Sequence, residues 1–376
     1  MILGILIGVY APNVQKSFDT ATFNAVSVPI AIGLIIMMYP VLTKVQYERL
    51  PLILSSRGIW LHISLSLFLN WIIGPFIMLG VAWATLPDLP TYRAGVILVG
   101  LARCIAMVMI WNQLAKGDAN YCAILVVINS VLQIVLYSPY AVLFINILGG
   151  QSQSSNIHVS YREVAISVLI YLGIPLLAGI ITRFTTILLF GRNFFENRFL
   201  PIISPFALLG LLYTIIVMFA YQGHHIVHNL RPVFRVFVPM ILYFAIMWTM
   251  AFSLAYWLNR KEAKTRKFNR VGGKSPRVWG YEMAVVQSFT AGSNNFELAI
   301  AVAIAVYGVG SDQALAATIG PLIEVPVLLA LTWVALFLEK KLIWDEEGEG
   351  DVEGQSKNIT SGATPNGRES EESEKR

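Results

Sequence analysis

The sequence predicts an all-α integral membrane protein of about ten transmembrane helices, arranged as two inverted five-helix repeats. Three observations carry that prediction: scarce charge, a succession of long apolar runs, and a repeat relating the two halves. Of 376 residues, 56% are hydrophobic and 13% charged, about half the charged share of a soluble domain. Mean hydropathy is +0.65. A soluble chain of this length needs a charged skin, and this one lacks it. The charges it has lie mostly between the apolar runs, as expected of a chain whose solvent is lipid.

Runs of roughly twenty apolar residues are long enough to cross the hydrocarbon core. They fall at 22–43, 59–85, 92–114, 119–148, 162–187, 201–222, 232–258, 281–309 and 313–338. Ahead of them, Met1 to Pro12 is apolar but too short to span. It lacks the basic start and cleavage signal of a signal peptide, so it reads as the remainder of a truncated first helix, making ten.

Charge sets the orientation. Lys44, Arg49, Arg57, Arg192, Arg198 and the run Arg260 to Arg277 fall on one side, against Lys16, Arg93, Arg162, Arg231 and Arg235 on the other. Basic loops stay in the cytoplasm, which places both termini there. The basic loop 259–280 is cytoplasmic, as is the tail 345–376, which is acidic, poor in aromatics and expected to be disordered. On that side the Asn358-Ile359-Thr360 acceptor goes unglycosylated. No basic stretch carries a nucleic-acid recognition module. Cys104 and Cys122 form neither a disulfide framework nor a zinc pattern, and His224-His225-x-x-His228 reads as a solvated loop. No cofactor or metal is expected.

The repeat emerges when residues 101–137 are laid over 294–330 with a constant offset of 193. Gly117 falls on Gly310, Ala123 on Ala316 and Cys104 on Glu297. A second offset, 176, brings Pro29 onto Pro205 and Ala31 onto Ala207. The halves are 1–148 and 162–338. Five helices per half is an odd number, so the halves face opposite ways, an architecture that puts the binding site near the midplane.

Charges inside the membrane mark function by default. Arg103, Glu297 and Glu324 lie deep, in the fourth, ninth and tenth spans. A guanidinium beside a thiol favours the thiolate, so Arg103 singles out Cys104 as a soft ligand. Trp111 stands two helical turns from Cys104, with Asn112 beside it. A lone membrane cysteine is otherwise a small hydrophobe, and Cys122 is read that way. The ninth span holds Ser288-Phe289-Thr290-Ala291-Gly292-Ser293-Asn294-Asn295-Phe296-Glu297. Gly, Ser and Asn make a poor helix interior, so the helix is expected to break there and expose backbone to a polar cavity. Glu297 then begins a second half-helix, able to exchange a proton, to ligate a cation or to pair with Arg103. Glu324 lies between Pro321 and Pro326, which are expected to open the tenth helix. Asn129 and Gln133, four apart on one face, either line a cavity or bond between helices.

At these residues the chain resembles the arsenical-resistance arsenite permeases of the bile acid/arsenite/riboflavin transporter superfamily. The resemblance spans nearly all of 1–344. It is most specific in Ala102-Arg103-Cys104-Ile105-Ala106-Met107 with Trp111-Asn112, in Asn294-Asn295-Phe296-Glu297-Leu298-Ala299, and in Pro321-Leu322-Ile323-Glu324-Val325-Pro326. The longer basic loop and acidic tail resemble fungal members. The resemblance implies ten helices in two inverted repeats, with the fourth and ninth broken where they cross. It also implies efflux of arsenite, in some members antimonite, driven by inward proton movement, with Cys104 and Glu297 at the site. The expected solute-binding residues are Cys104, Arg103, Trp111, Asn112, Asn129, Phe289, Asn294 and Asn295, and the proton-coupling residues Glu297 and Glu324. The expected location is the plasma membrane, with the vacuolar membrane as alternative. A Na⁺-coupled organic-anion symporter on the same fold is the other transport reading. An intramembrane enzyme is disfavoured, because the sequence offers no paired aspartates, zinc-ligand helix or nucleophile–base pair.

Overall fold

The computed structural model describes residues 2–10, 22–23, 26–49, 57–105, 107–149, 158–228, 230–268 and 278–344. Lys16, the middle of the basic loop (269–277) and the acidic tail 345–376 lie outside the described residues. Helices dominate. They are α1 (Ile2–Tyr10), α2 (Val28–Lys44), α3 (Arg57–Leu67), α4 (Gly74–Thr85), α5 (Pro90–Leu101), α6 (Met107–Leu114) and α7 (Ala119–Ala141). Then come α8 (Tyr161–Val168), α9 (Ile174–Phe194), α10 (Leu200–His228), α11 (Leu230–Phe268), α12 (Tyr281–Ala291), α13 (Phe296–Tyr307) and α14 (Asp312–Lys341). A two-residue antiparallel pair, Thr22–Phe23 with Val26–Ser27, precedes α2.

Five helical stretches are long and apolar enough to cross a membrane: Ile59–Thr85, Ala119–Ile147, Tyr161–Gly223, Leu230–Thr265 and Asp312–Lys341. Large apolar side chains cover the outside, Leu188, Leu189, Ile202 and Trp333 among them. In water such a surface would aggregate; against lipid tails it is the expected exterior.

Prolines explain where the long helices loosen. Wider π-helical turns at Phe68–Ile73 and Leu169–Gly173 each run into a helix with a proline near its start, Pro75 and Pro175. Proline lacks the N–H and crowds the carbonyl four residues back, so the ladder shifts by one residue. A third such turn, Val142–Ile147, follows Pro139. The prolines of α14 have a milder effect than expected: the helix stays continuous from Asp312 to Lys341 through Pro321 and Pro326. The sixth and seventh spans turn at Gly191, whose φ of 81° and ψ of 161° suit glycine alone. The segment His224 to His228, expected as a loop, continues α10.

Two groups of helices result. In one, α10 packs against both α1 and α2, and α2 against α9. These contacts are close because glycines line them. A Cβ on Gly33 would meet the Thr214 hydroxyl at 2.4 Å, and one on Gly210 would meet the Met37 nitrogen at 2.8 Å. In the other group, α5 packs on α4 and α14, α11 on α12 and α14, and α13 on α14 and α8.

Candidate functional site

The site is built where α5/α6 and α12/α13 interrupt one another. In the second pair the break lies in Gly292-Ser293-Asn294-Asn295, as the composition predicts. In the first, residues 102–105 contain neither glycine nor proline, and the interruption is imposed from outside. Gln133 on α7 accepts from the Arg103 N–H at 2.9 Å and donates to the Arg103 carbonyl at 2.8 Å. Its amide thus pairs with the peptide as a neighbouring strand would.

The two breaks also pair with each other. Arg103 and Asn294 form an isolated antiparallel bridge, and the Asn295 N–H donates to the Ala102 carbonyl at 3.1 Å. Asn294 Nδ2 donates to the carbonyls of Val99 (2.9 Å) and Ala102 (3.0 Å), capping the orphan end of α5. Asn295 Oδ1 accepts from the Leu298 N–H at 3.0 Å, capping the start of α13. The Asn294 N–H points at Glu324 Oε1, 3.4 Å away.

Cys104 and Glu297 occupy corresponding places, each at the start of a second half-helix. Cys104 Sγ accepts from the Val108 N–H at 3.3 Å and faces Ser293. Glu297 lies in the first turn of α13. Both therefore sit at positive helix ends, where negative charge is favoured. Cys104 is within electrostatic reach of Glu297 and Glu324. The Arg103 guanidinium turns away from the thiol: it donates to the Tyr243 hydroxyl at 3.1 Å and to the Gly100 carbonyl. Gly74 leaves it room, since a Cβ there would lie 2.9 Å from Nη1.

A cavity of about 230 Å³ opens between α2 and α10 on one side and α6 and α7 on the other. Lys44 and Ser204 mark one part of its wall, Asn112, Gln113 and Met107 another, and Glu297 reaches it from α13. Next to Glu297 lies a separate void of about 10 Å³, walled in part by Leu34, Thr214 and Met218. Further along, Gln222 of α10 donates to the Val309 carbonyl at 2.6 Å and ties the two helix groups together.

Of the remaining expected residues, only Asn112 is on the cavity wall. Neither of its side-chain amide atoms has a partner among the described residues. Trp111 is buried with its indole N–H likewise free. Asn129 Oδ1 accepts from Trp71 Nε1 at 3.0 Å, so both members of the Asn129/Gln133 pair bond between helices. Phe289 sits between α12 and α11, edge-on to Trp248 with ring centroids 5.9 Å apart. Cys104, Trp111 and Phe289 are buried and are not among the residues of the cavity wall.

Some residues of the site escape sequence reasoning. Tyr243 and Gly74 serve Arg103 from distant segments; a buried arginine announces that acceptors exist, not where. Arg183 is a further buried arginine, bonded to Glu48 at 2.6 and 2.8 Å and set over the Phe195 ring. Lying near the end of its span, it passes for an interfacial charge.

Comparison with known proteins gives one family match and three relatives. The Sodium Bile acid symporter family matches residues 31–229. The chain is 40% identical over 344 residues to the arsenical-resistance protein Acr3 of Corynebacterium glutamicum, covering 91% of this chain and 87% of that one. It is 30% identical to the Acr3 protein of Alkaliphilus metalliredigens, covering 89% and 88%, and 32% identical to an uncharacterized transporter of Synechocystis, covering 92% and 86%.

Proposed function

Because the chain belongs to the sodium/bile acid symporter family, and within it to the arsenical-resistance permeases, we propose that it exports arsenite, and antimonite with it, in exchange for protons. The observation that carries the proposal is the position of Glu297. It is a half-buried carboxylate where the cavity meets the crossing of two broken helices, with Cys104 in electrostatic reach.

Arsenite at neutral pH is As(OH)₃, uncharged, so the membrane potential does no work on it directly. Exchange for a proton supplies the drive. One thiol can displace one hydroxyl as water, giving a single reversible As–S bond; a three-sulfur cage would hold the solute too tightly for a carrier. In the proposed cycle, arsenite enters the cavity and binds near Cys104 with Glu297 ionised. After the helix groups rock, Glu297 takes a proton from outside and the solute leaves. Return to the inside and loss of the proton restore binding. Glu324, against the Asn294 N–H, is a second carboxylate at the crossing.

We read the chain as ten membrane segments in inverted halves, 1–148 and 162–338, with both termini cytoplasmic in the plasma membrane. Asp118 caps α7 and Ser311 caps α14, at the offset that aligns Cys104 with Glu297. The cavity lies toward Lys44 and Ser204, so this conformation faces the cytoplasm. The Na⁺-coupled alternative shares the family's description, but the relatives named for a solute are arsenical-resistance proteins, which favours arsenite.

Everted vesicles test the proposal. Arsenite uptake should follow an interior-acid gradient, collapse with a protonophore, and lose its proton coupling in Glu297→Gln. Uptake indifferent to the gradient, or coupling intact in Glu297→Gln, would overturn the proton scheme; no uptake by the parent protein would overturn the transport reading itself.

A further inference from the structure

The cavity wall carries an excess of sulfur. Four of its fifteen residues are sulfur-bearing: Met37, Met107, Met109 and Cys122. The whole chain has 11 Met and 2 Cys in 376 residues, so a random wall of this size would hold fewer than one. The four come from three separate helices, α2, α6 and α7, so no single methionine-rich stretch produces the excess. Beside them Asn112 is 1% exposed, and both its amide oxygen and its amide nitrogen lack protein partners among the described residues.

We propose that this wall is a second, weaker docking station for the trivalent metalloid, between the cytoplasm and the Cys104–Glu297 site. The proposal rests on the arsenite reading above and adds the residues that first receive the solute. A thioether is a soft donor with no proton to exchange. It directs a lone pair at arsenic while all three As–O bonds stay intact, and no leaving group is needed. The Asn112 amide has an accepting oxygen and an NH2 with two donor hydrogens, matching hydroxyl groups that both donate and accept. Contacts of this kind hold a neutral trihydroxide loosely, as a loading station requires. They also favour a soft centre over a carbon polyol of similar size.

The test is the triple variant Met37→Leu/Met107→Leu/Met109→Leu, in which leucine keeps volume and apolarity while removing sulfur. In proton-driven vesicle uptake, KM for arsenite is expected to rise about 3- to 10-fold while kcat stays within about 2-fold. The rise for antimonite, the softer centre, is expected to be larger, a signature that altered packing alone would not give. Asn112→Leu should raise KM for both solutes alike. If the triple variant is absent from the membrane, Met107→Leu/Met109→Leu on the short helix α6 carries the same expectation. An unchanged KM in a transporting variant, or equal rises for the two metalloids, overturns the docking station while leaving the transport reading intact. Failure of the parent protein to transport would instead overturn that reading.

Discussion

Gln133 shows how a single side chain fixes a backbone. Its two bonds hold the Arg103 peptide out of helical geometry, and nothing in residues 102–105 would break a helix unaided. Gln133→Leu would leave a buried N–H and a buried carbonyl without partners, at a cost of about 1–3 kcal/mol each. We expect a fall in detergent melting temperature together with loss of transport, since Cys104 follows directly. Unchanged stability would mean that the break does not depend on the amide.

Glu48 plays a comparable part just beyond the C-terminal end of α2. Partial burial alone would raise its carboxyl, but hydrogen bonds from Arg183 and Arg192 outweigh this and hold it down at about 2, against an ordinary 4.5. Arg183 is 1% exposed and Glu48 about a quarter exposed. Glu48→Gln should therefore cost about 2 kcal/mol, less than the 3–5 kcal/mol of breaking a fully buried pair. A carboxyl depressed in the folded state stabilises above its unfolded value, and that contribution fades as pH falls from about 4.5 toward about 2. Melting curves of parent and variant should thus differ at pH 7 and converge toward pH 2. A difference independent of pH would assign the effect to packing. At this scale the sequence reveals which residues are chemically unusual but not their partners. Arg103 and Glu297 stand out because lipid makes charge conspicuous. Tyr243, Gln222 and Arg183 do not, because their significance arises from contacts 87 to 140 residues away along the chain.

At the scale of elements, hydropathy locates most helices, and the prolines show where they loosen. The break at Gly292 to Asn295 is legible because its residues are poor helix formers, whereas the break at 102–105 is legible only through the family resemblance. Helix spacing is partly legible too, since small residues let helices approach closely. Gly320 is the clearest case: a Cβ there would lie 1.8 Å from Phe296 Cε1. Phe296 opens α13 beside Glu297, so Gly320→Ala must push the half-helix that carries Glu297. Overpacking of this kind costs roughly 1–3 kcal/mol. The variant should melt lower and transport more slowly, and Phe296→Leu added to it should recover part of both. If Phe296→Leu worsens the defect instead, the ring is not the obstructing group.

At the scale of the whole molecule, two helix groups meet with a cavity beside Lys44 and Ser204 and a hydrogen bond, Gln222 to Val309, further along α10. Hydropathy cannot reveal that asymmetry, because both places have the same kind of apolar sequence. Gln222 ties the two groups together through the Val309 carbonyl. A hydrogen bond of this type contributes about 1 kcal/mol net, enough to move a two-state equilibrium roughly fivefold. Gln222→Leu should therefore shift the population away from the conformation described here. Ser204→Cys in the cavity wall provides the probe: its alkylation by a membrane-impermeant maleimide added from the cytoplasmic side should slow severalfold when Gln222→Leu is added. Cys104 and Cys122 are buried, and the Gln222→Leu protein without the new cysteine corrects for them. A labelling rate that does not change would show that the bond is not part of the gate, and the two groups would then be held there by apolar packing of α2 and α10 against α13 and α14.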